Sequence, residues 1–251
     1  MTNCFMQLQH YVGKCPRLYC FPFAGGTSLS YRPLIKSGQL LRNCNAYALE
    51  LPGRGVRMQE PLTQDIATIK NECLQAIIPY VDYPLVFFGH SMGAILAFEL
   101  LADLEAAYPQ LNAHLIVSAS NAPKHSLLKH DVSQMNDGEF IALLLTMGGI
   151  PPAISKNEAL MQFFLPRIRS DFALLKQYKV RDQVVLRSPL SVIAASDDDN
   201  LQHAAVIDWQ QYTQANYQIT WCTGGHFYLE DNLNLLSDLL NQALTGVRNG
   251  R

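Results

Sequence analysis

Leu85-Val86-Phe87-Phe88-Gly89-His90-Ser91-Met92-Gly93-Ala94-Ile95-Leu96-Ala97-Phe98-Glu99-Leu100-Leu101 is the stretch that decides the fold of this chain. Four apolar residues, 85–88, predict a buried strand. Gly89 to Gly93 form a GxSxG turn, and the Ala- and Leu-rich run after it has helix-forming character. A strand that passes this abruptly into a helix brings its backbone so close to itself that a side chain at position 89 or 93 would clash, so both places call for Gly. The turn lifts the Ser91 hydroxyl above the edge of a sheet, where it meets an incoming molecule first. In a loop the same glycines would mark only a turn; the strand before and the helix after make Ser91 a candidate nucleophile.

Outward from this stretch the chain alternates. Short apolar, β-branched or aromatic runs fall at 17–21, 46–51, 85–88, 114–118, 190–195 and 218–222. Between most of them apolar residues recur at three and four: Ile66, Ile69, Cys73 and Ile77; Val206, Trp209 and Tyr212; Leu233, Leu236, Leu239 and Leu240. Strands alternating with helices of that length predict an α/β fold with a mostly parallel central sheet and helices on both faces.

The interval between 114–118 and 190–195 is too long for one crossover. It carries two helical patterns, 137–147 (DGEFIALLLTM) and 158–175 with Pro166 inside it, separated by the breaker Gly148-Gly149-Ile150-Pro151-Pro152. This predicts a helical insertion at about 124–185 in a single domain spanning 1–251. It follows the nucleophile strand, where it would cover the carboxyl edge of the sheet as a lid. The plainer reading is a packing subdomain with no gating role. Phe140, Met147, Phe163 and Phe164 are candidate substrate-wall residues within it, although such apolar stripes more often bury against the fold itself.

Composition removes several classes of function. With 251 residues, 49% hydrophobic and 16% charged, the chain can bury a full core. Nineteen basic and 21 acidic residues give a formal charge of -2, and no Lys/Arg-rich stretch interleaves with aromatics, so nucleic acid is not an expected partner. The six cysteines show no CxxC spacing, and the first 15 residues hold no apolar signal-like run, which fits reduced thiols in a cytoplasm. No segment nears the roughly 18 uninterrupted apolar residues of a membrane span, so no membrane is expected, and the expected state is a soluble monomer.

A serine hydroxyl is a weak nucleophile at neutral pH and needs a base and an orienting carboxylate. In α/β-hydrolase arrangements the chain order is Ser, then Asp or Glu, then His, which leaves His203 and His226. His226 follows the strand 218–222 in the Gly-rich Thr223-Gly224-Gly225-His226-Phe227, where an imidazole can reach over the sheet edge; His203 falls at the start of the next helix. His226 is therefore the expected base. His90 adjoins the nucleophile on a tight elbow, where neighbouring side chains point apart, and reads as a packing or hydrogen-bonding residue. The acid should end the strand 190–195, which runs into Asp197-Asp198-Asp199; composition leaves all three open. Two donors for a developing oxyanion are expected from the backbone N–H of Met92 and, in the loop Cys20-Phe21-Pro22-Phe23-Ala24-Gly25-Gly26-Thr27, from that of Ala24.

Taken together these residues resemble the type II thioesterases, stand-alone α/β-hydrolases that accompany modular nonribosomal peptide and polyketide synthases. The resemblance spans nearly the whole chain. It runs through Phe21-Pro22-Phe23-Ala24-Gly25-Gly26, Leu51-Pro52-Gly53-Arg54-Gly55 with Arg57 and Glu60, and the GxSxG turn. It continues through Gly148-Gly149-Ile150-Pro151, Leu165-Pro166-Arg167-Ile168-Arg169-Ser170-Asp171-Phe172 and Tyr178, and ends at Gly224-Gly225-His226-Phe227. In the family the acid lies three residues past the end of its strand, with a Trp further on. That spacing picks Asp198, with Trp209 as the Trp. The resemblance implies hydrolysis of acyl groups from the phosphopantetheine arm of carrier-protein domains, with no metal or redox cofactor. A general carboxylesterase, a medium-chain fatty acyl thioesterase and a carrier-binding module without turnover are the competing readings.

Overall fold

The strands with continuous apolar runs occupy the middle of the sheet, as two-sided burial requires. The structure is a computed structural model that describes residues 4–40, 42–125, 128–150, 152–181 and 183–249. Seven strands form one sheet: β1 (Phe5–Gln9), β2 (Arg17–Phe21), β3 (Asn45–Leu49), β4 (Leu85–His90), β5 (Ala113–Ser118), β6 (Leu190–Ala195) and β7 (Tyr217–Cys222), in the order β1-β3-β2-β4-β5-β6-β7. All neighbours are parallel except β1 and β3. Every residue of β2, β4 and β6 is buried, whereas the edge strand β7 has no fully buried residue.

Eight α-helices connect and flank the strands: α1 (Arg32–Lys36), α2 (Ile66–Ile77), α3 (Met92–Ala107), α4 (Asp137–Thr146), α5 (Pro152–Ser155), α6 (Glu158–Gln177), α7 (His203–Ile207) and α8 (Leu233–Arg248). One apolar layer joins α2 and α3 to the sheet through Ile69, Ile77, Leu96, Leu100 and Phe87. The opposite layer joins α1 and α8 through Leu34, Leu236, Leu240 and Phe88. α3 is apolar on almost every face because it is covered all round.

The predicted strands are present, with ends that agree to within two residues. β1 was not predicted: its residues FMQLQ include no β-branched side chain, and only Phe5 is buried. The 206–212 pattern is a short helix, α7, that tightens into a 3-10 turn over Asp208–Tyr212, not one regular helix. Pro166 lies within α6, which continues through it. Pro151 of the predicted breaker lies outside the described residues. The segment between β5 and β6 holds α4, α5 and α6, with an apolar cluster of its own built on Phe140, Leu144, Met161, Leu165, Ile168 and Phe172. α4 starts with a reciprocal cap, in which Asn136 Oδ1 accepts from Glu139 N–H and Glu139 accepts from Asn136 N–H.

The elbow sets the geometry of the whole carboxyl edge. A Cβ on Gly89 would lie 2.1 Å from the Gly93 carbonyl oxygen, and one on Gly93 would lie 1.9 Å from that of Phe21 at the end of β2. The two glycines thus hold elbow and oxyanion loop together as well as closing the turn. Since the obstructing atoms are backbone, Gly93→Ala must displace β2 or α3. The expected cost is at least about 3 kcal/mol, a fall in Tm of roughly 6–12 °C for a domain of this size, read by thermal unfolding. An unchanged Tm would mean that the elbow is not packed this tightly.

Candidate active site

Ser91 stands between β4 and α3 with φ +54° and ψ −117°, a strained conformation for a non-glycine residue. Its N–H donates to the Ser118 carbonyl at 2.8 Å, and its carbonyl accepts from Ala94 N–H at 3.0 Å. Ser91 is the N-cap of a 16-residue helix, so the first backbone amides of α3, Met92 among them, concentrate positive potential beside its hydroxyl.

His226 Nε2 lies 2.9 Å from Ser91 Oγ, and His226 Nδ1 lies 2.7 Å from Asp198 Oδ2. The other Asp198 oxygen, Oδ1, accepts from the Asn200 backbone N–H at 3.0 Å and from Asn200 Nδ2 at 3.1 Å. Burial pushes the Asp198 carboxyl up, but the His226 hydrogen bond and charge together with the Asn200 donors outweigh it. The group stays below its ordinary carboxylate range. A carboxylate held ionised on one imidazole nitrogen keeps a proton there and leaves the other nitrogen free to accept from the serine.

The three adjacent aspartates occupy different environments. Asp198 is buried while Asp197 and Asp199 are exposed. Asp197 joins the acid loop to the histidine loop: its N–H donates to the Gly224 carbonyl, and its Oδ2 accepts from Gly224 N–H, each at 3.2 Å. Gly224 has φ +117°, which only glycine adopts without strain. Asp199 accepts from Lys129 Nζ through its main-chain oxygen. His203 begins α7 and stacks on Trp221 at 4.6 Å, with an interplanar angle of 5°. Trp209 is fully buried and donates its indole N–H to the Ser120 carbonyl at 2.9 Å.

His90 braces the site from below. Its ring is wholly buried, and burial, aided by the His226 charge, lowers its pKa to about 3. The neutral ring carries one proton. Because Nε2 lies 3.0 Å from the His226 carbonyl oxygen, which can only accept, that proton is on Nε2; Nδ1 then accepts from the Ser118 hydroxyl at 2.8 Å. His90 therefore ties the nucleophile strand to the backbone of His226.

A cavity opens above Ser91 and His226. Ala24 and Met92 line it beside the serine, and Leu144, Met147, Ile168 and Phe172 from the segment between β5 and β6 line its far side. A second cavity adjoins it across Phe23, Gly149 and Phe227 and has Phe164 in its wall. The four apolar candidates in the insertion thus separate. Met147 and Phe164 reach cavity walls, while Phe140 is buried inside the insertion, edge-on to Phe172, and Phe163 faces outward at 38% exposure under the Arg167 guanidinium. Asn200 was missed by sequence reasoning, although Asp-x-Asn at the end of a strand is a turn signal that points to it. Among the described residues no group of three or more His, Cys, Asp or Glu side chains is arranged to hold a metal ion, and no helix is long and apolar enough to cross a membrane.

A serine on a strand-to-helix elbow, faced by an imidazole and a carboxylate at the carboxyl edge of a mostly parallel sheet, is the architecture of an α/β-hydrolase. The thioesterase domain family model matches residues 16–243, and the chain belongs to that family, whose members hydrolyse thioesters. It is 31% identical over 238 residues to the protein named linear gramicidin dehydrogenase LgrE of Brevibacillus parabrevis, covering 92% of this chain and 90% of that one. It is 29% identical over 219 residues to the gramicidin S biosynthesis protein GrsT of Aneurinibacillus migulanus, covering 86% and 84%. The solved structure of the type II thioesterase BorB from the borrelidin biosynthetic cluster superposes with a TM-score of 0.86 at 30% identity, covering 96% of this chain and 97% of that one.

Proposed function

We propose that this protein is an editing thioesterase that removes stalled or misloaded acyl groups from the phosphopantetheine arm of carrier domains in a modular peptide or polyketide synthase. The observation that carries the reading is the continuous chain Ser91 Oγ, His226, Asp198, with links of 2.9 and 2.7 Å, at the base of an apolar cavity. Membership of the thioesterase family and likeness to proteins of antibiotic assembly pathways support the substrate class.

Chemically, His226 accepts the Ser91 proton as Oγ attacks the thioester carbonyl. The backbone N–H groups of Ala24 and Met92 receive the developing oxyanion. Collapse expels the sulfur, which takes the proton from His226 and leaves as the thiol, and the acyl group remains on Ser91 while His226 returns to its neutral form. Water then repeats the attack with His226 as base, releasing the acid and restoring the serine. Asp198 stays ionised throughout and orients the imidazole. No metal or cofactor enters these steps. The helices between β5 and β6 act as a lid whose apolar wall, with Met147, takes the acyl chain; Met suits a loosely selective wall. A cytoplasmic location belongs to the same reading, since the six cysteines stand as thiols, the state a reducing compartment keeps.

The test compares one acyl group on a phosphopantetheinylated carrier domain, on coenzyme A and as an aryl ester. The carrier thioester is expected to show the highest kcat/KM, by about tenfold or more, corresponding to 1.4 kcal/mol of extra transition-state binding. Equal values for the three would make the protein a general esterase.

A further inference from the structure

Two segments marked by the family resemblance, 51–55 and 165–172, carry no part of the chemistry above, yet they meet beneath the oxyanion loop. Asp171 of α6 is 2% exposed, and Arg54 is 3% exposed. The Arg54 guanidinium grips the Asp171 carboxylate with both arms, Nη1 to Oδ2 at 2.7 Å and Nη2 to Oδ1 at 2.9 Å. The same Oδ2 accepts the backbone N–H of Gly25 at 2.7 Å, and Arg54 Nη1 donates to the Gly26 carbonyl at 3.2 Å. Acceptor and donor are thus presented together to the turn that holds Ala24.

That turn has a conformation that needs holding. Gly26 N–H donates to the Phe23 carbonyl at 2.8 Å, and Gly25 at the third position has φ +81°, the mark of a type II turn. Flipping its central peptide, between Ala24 and Gly25, to the type I arrangement changes ψ of Ala24 and φ of Gly25 and turns the Gly25 N–H away from Asp171, which frees the loop that carries Ala24 from α6. Among the described residues the Gly25 N–H donates to Asp171, which anchors that peptide plane, while Arg54 holds the Gly26 carbonyl on the other side of the turn. A buried ion pair is a poor source of stability, since its desolvation offsets most of its attraction, but it fixes geometry well. Asp171 also shares one face of α6 with Ile168, Phe172 and Leu175, which line the cavity above Ser91. α6 is seated on the 53–58 loop by Arg167 as well, whose Nε donates to the Gly53 carbonyl at 2.6 Å.

We propose that Asp171, clamped by Arg54, is a positioning residue that sets the oxyanion loop from α6, so that the wall of the acyl cavity and the oxyanion donor of Ala24 move as one unit. This rests on the thioesterase reading above. Asp171→Asn retains the size of the side chain but loses the charge that holds both the fork and the Gly25 amide. Its kcat is expected to fall on the order of 10²-fold, the scale of losing one oxyanion donor, with KM changed less than about threefold. Affinity for a trifluoromethyl ketone analogue, which forms an oxyanion on Ser91, should fall by the same factor as kcat/KM. Affinity for an unreactive pantetheine thioether should not move, a split that a merely structural loss would not produce.

Because Asp171→Asn leaves a buried cation unpaired, the neutral pair Arg54→Gln with Asp171→Asn is made alongside it and should show the same split. In the unaltered protein the Gly25 amide should be the slowest of residues 23–27 to exchange with deuterium. A folded variant with kcat within twofold of the parent, a loss confined to KM, or a Gly25 amide exchanging as fast as its neighbours would each overturn the proposal. Ser91→Ala run in parallel separates the two claims: if it retains turnover the thioesterase reading fails, whatever Asp171 does.

Discussion

Ser91→Ala should reduce acyl release from carrier domains by a factor on the order of 10⁴–10⁶, leaving only the residual rate that binding and oxyanion donors supply without a nucleophile. The substitution is unusually clean here. Ser91 makes no side-chain cap to α3, and its strain at φ +54° belongs to any residue with a Cβ, so Ala inherits the same backbone. What is lost is the Oγ at 2.9 Å from His226 Nε2 and little else. Tm should stay within a few degrees of the parent, and the acylated carrier domain should bind as before. The measurement is mass spectrometry of the carrier arm with time, beside a binding titration of the same carrier. A carrier-binding module without turnover predicts the opposite pattern: deacylation in the presence of the variant would equal that with the parent.

The features legible in the sequence are those whose physics is local or periodic. The Gly89 half of the elbow is readable because its close approach is to Gly93 and Ala94 a few residues on, whereas Gly93 is required by the Phe21 and Pro22 backbone at the end of β2, which no local pattern encodes. The central strands were readable because parallel strands buried on both faces must be apolar throughout. β1 was not, since a one-sided edge strand with FMQLQ has too little pattern to distinguish it from a loop. Helical spacing makes Phe140 and Phe163 only candidates for the substrate wall, because it says which residues share a face and nothing about what that face meets. An apolar side chain of the insertion has three surroundings open to it, the insertion's own core, the cavity and solvent, and the two rings lie in the first and the third. The clasp of Arg54 on Asp171 joins residues 117 apart in the chain, which no local pattern encodes.

The acid illustrates the same divide and gives the second large effect. Asp198→Asn should lower kcat on the order of 10⁴-fold while leaving the fold intact, because it reverses the hydrogen-bond polarity of the site. Asn200 decides how the new amide lies. Its backbone N–H and its Nδ2 both donate toward the present Oδ1, so an amide at 198 must turn its oxygen to Asn200 and its NH₂ to His226. Nδ1 of the imidazole is then forced to accept, the ring proton moves to Nε2, and the nitrogen facing Ser91 Oγ becomes a donor that cannot take the serine proton. At position 197 the outcome differs. An Asn oxygen can still accept from Gly224 N–H as Oδ2 does now, and Asp199 engages Lys129 only through its main chain. Asp197→Asn and Asp199→Asn should therefore keep kcat within about threefold of the parent, the modest effect of changing an exposed charge. Steady-state kinetics of the three variants on one carrier thioester, with the imidazole tautomer of Asp198→Asn read from its ¹⁵N chemical shifts, separate the cases. A loss at 197 or 199 equal to that at 198, or a variant whose Nε2 still lacks a proton, would remove Asp198 from its place behind His226.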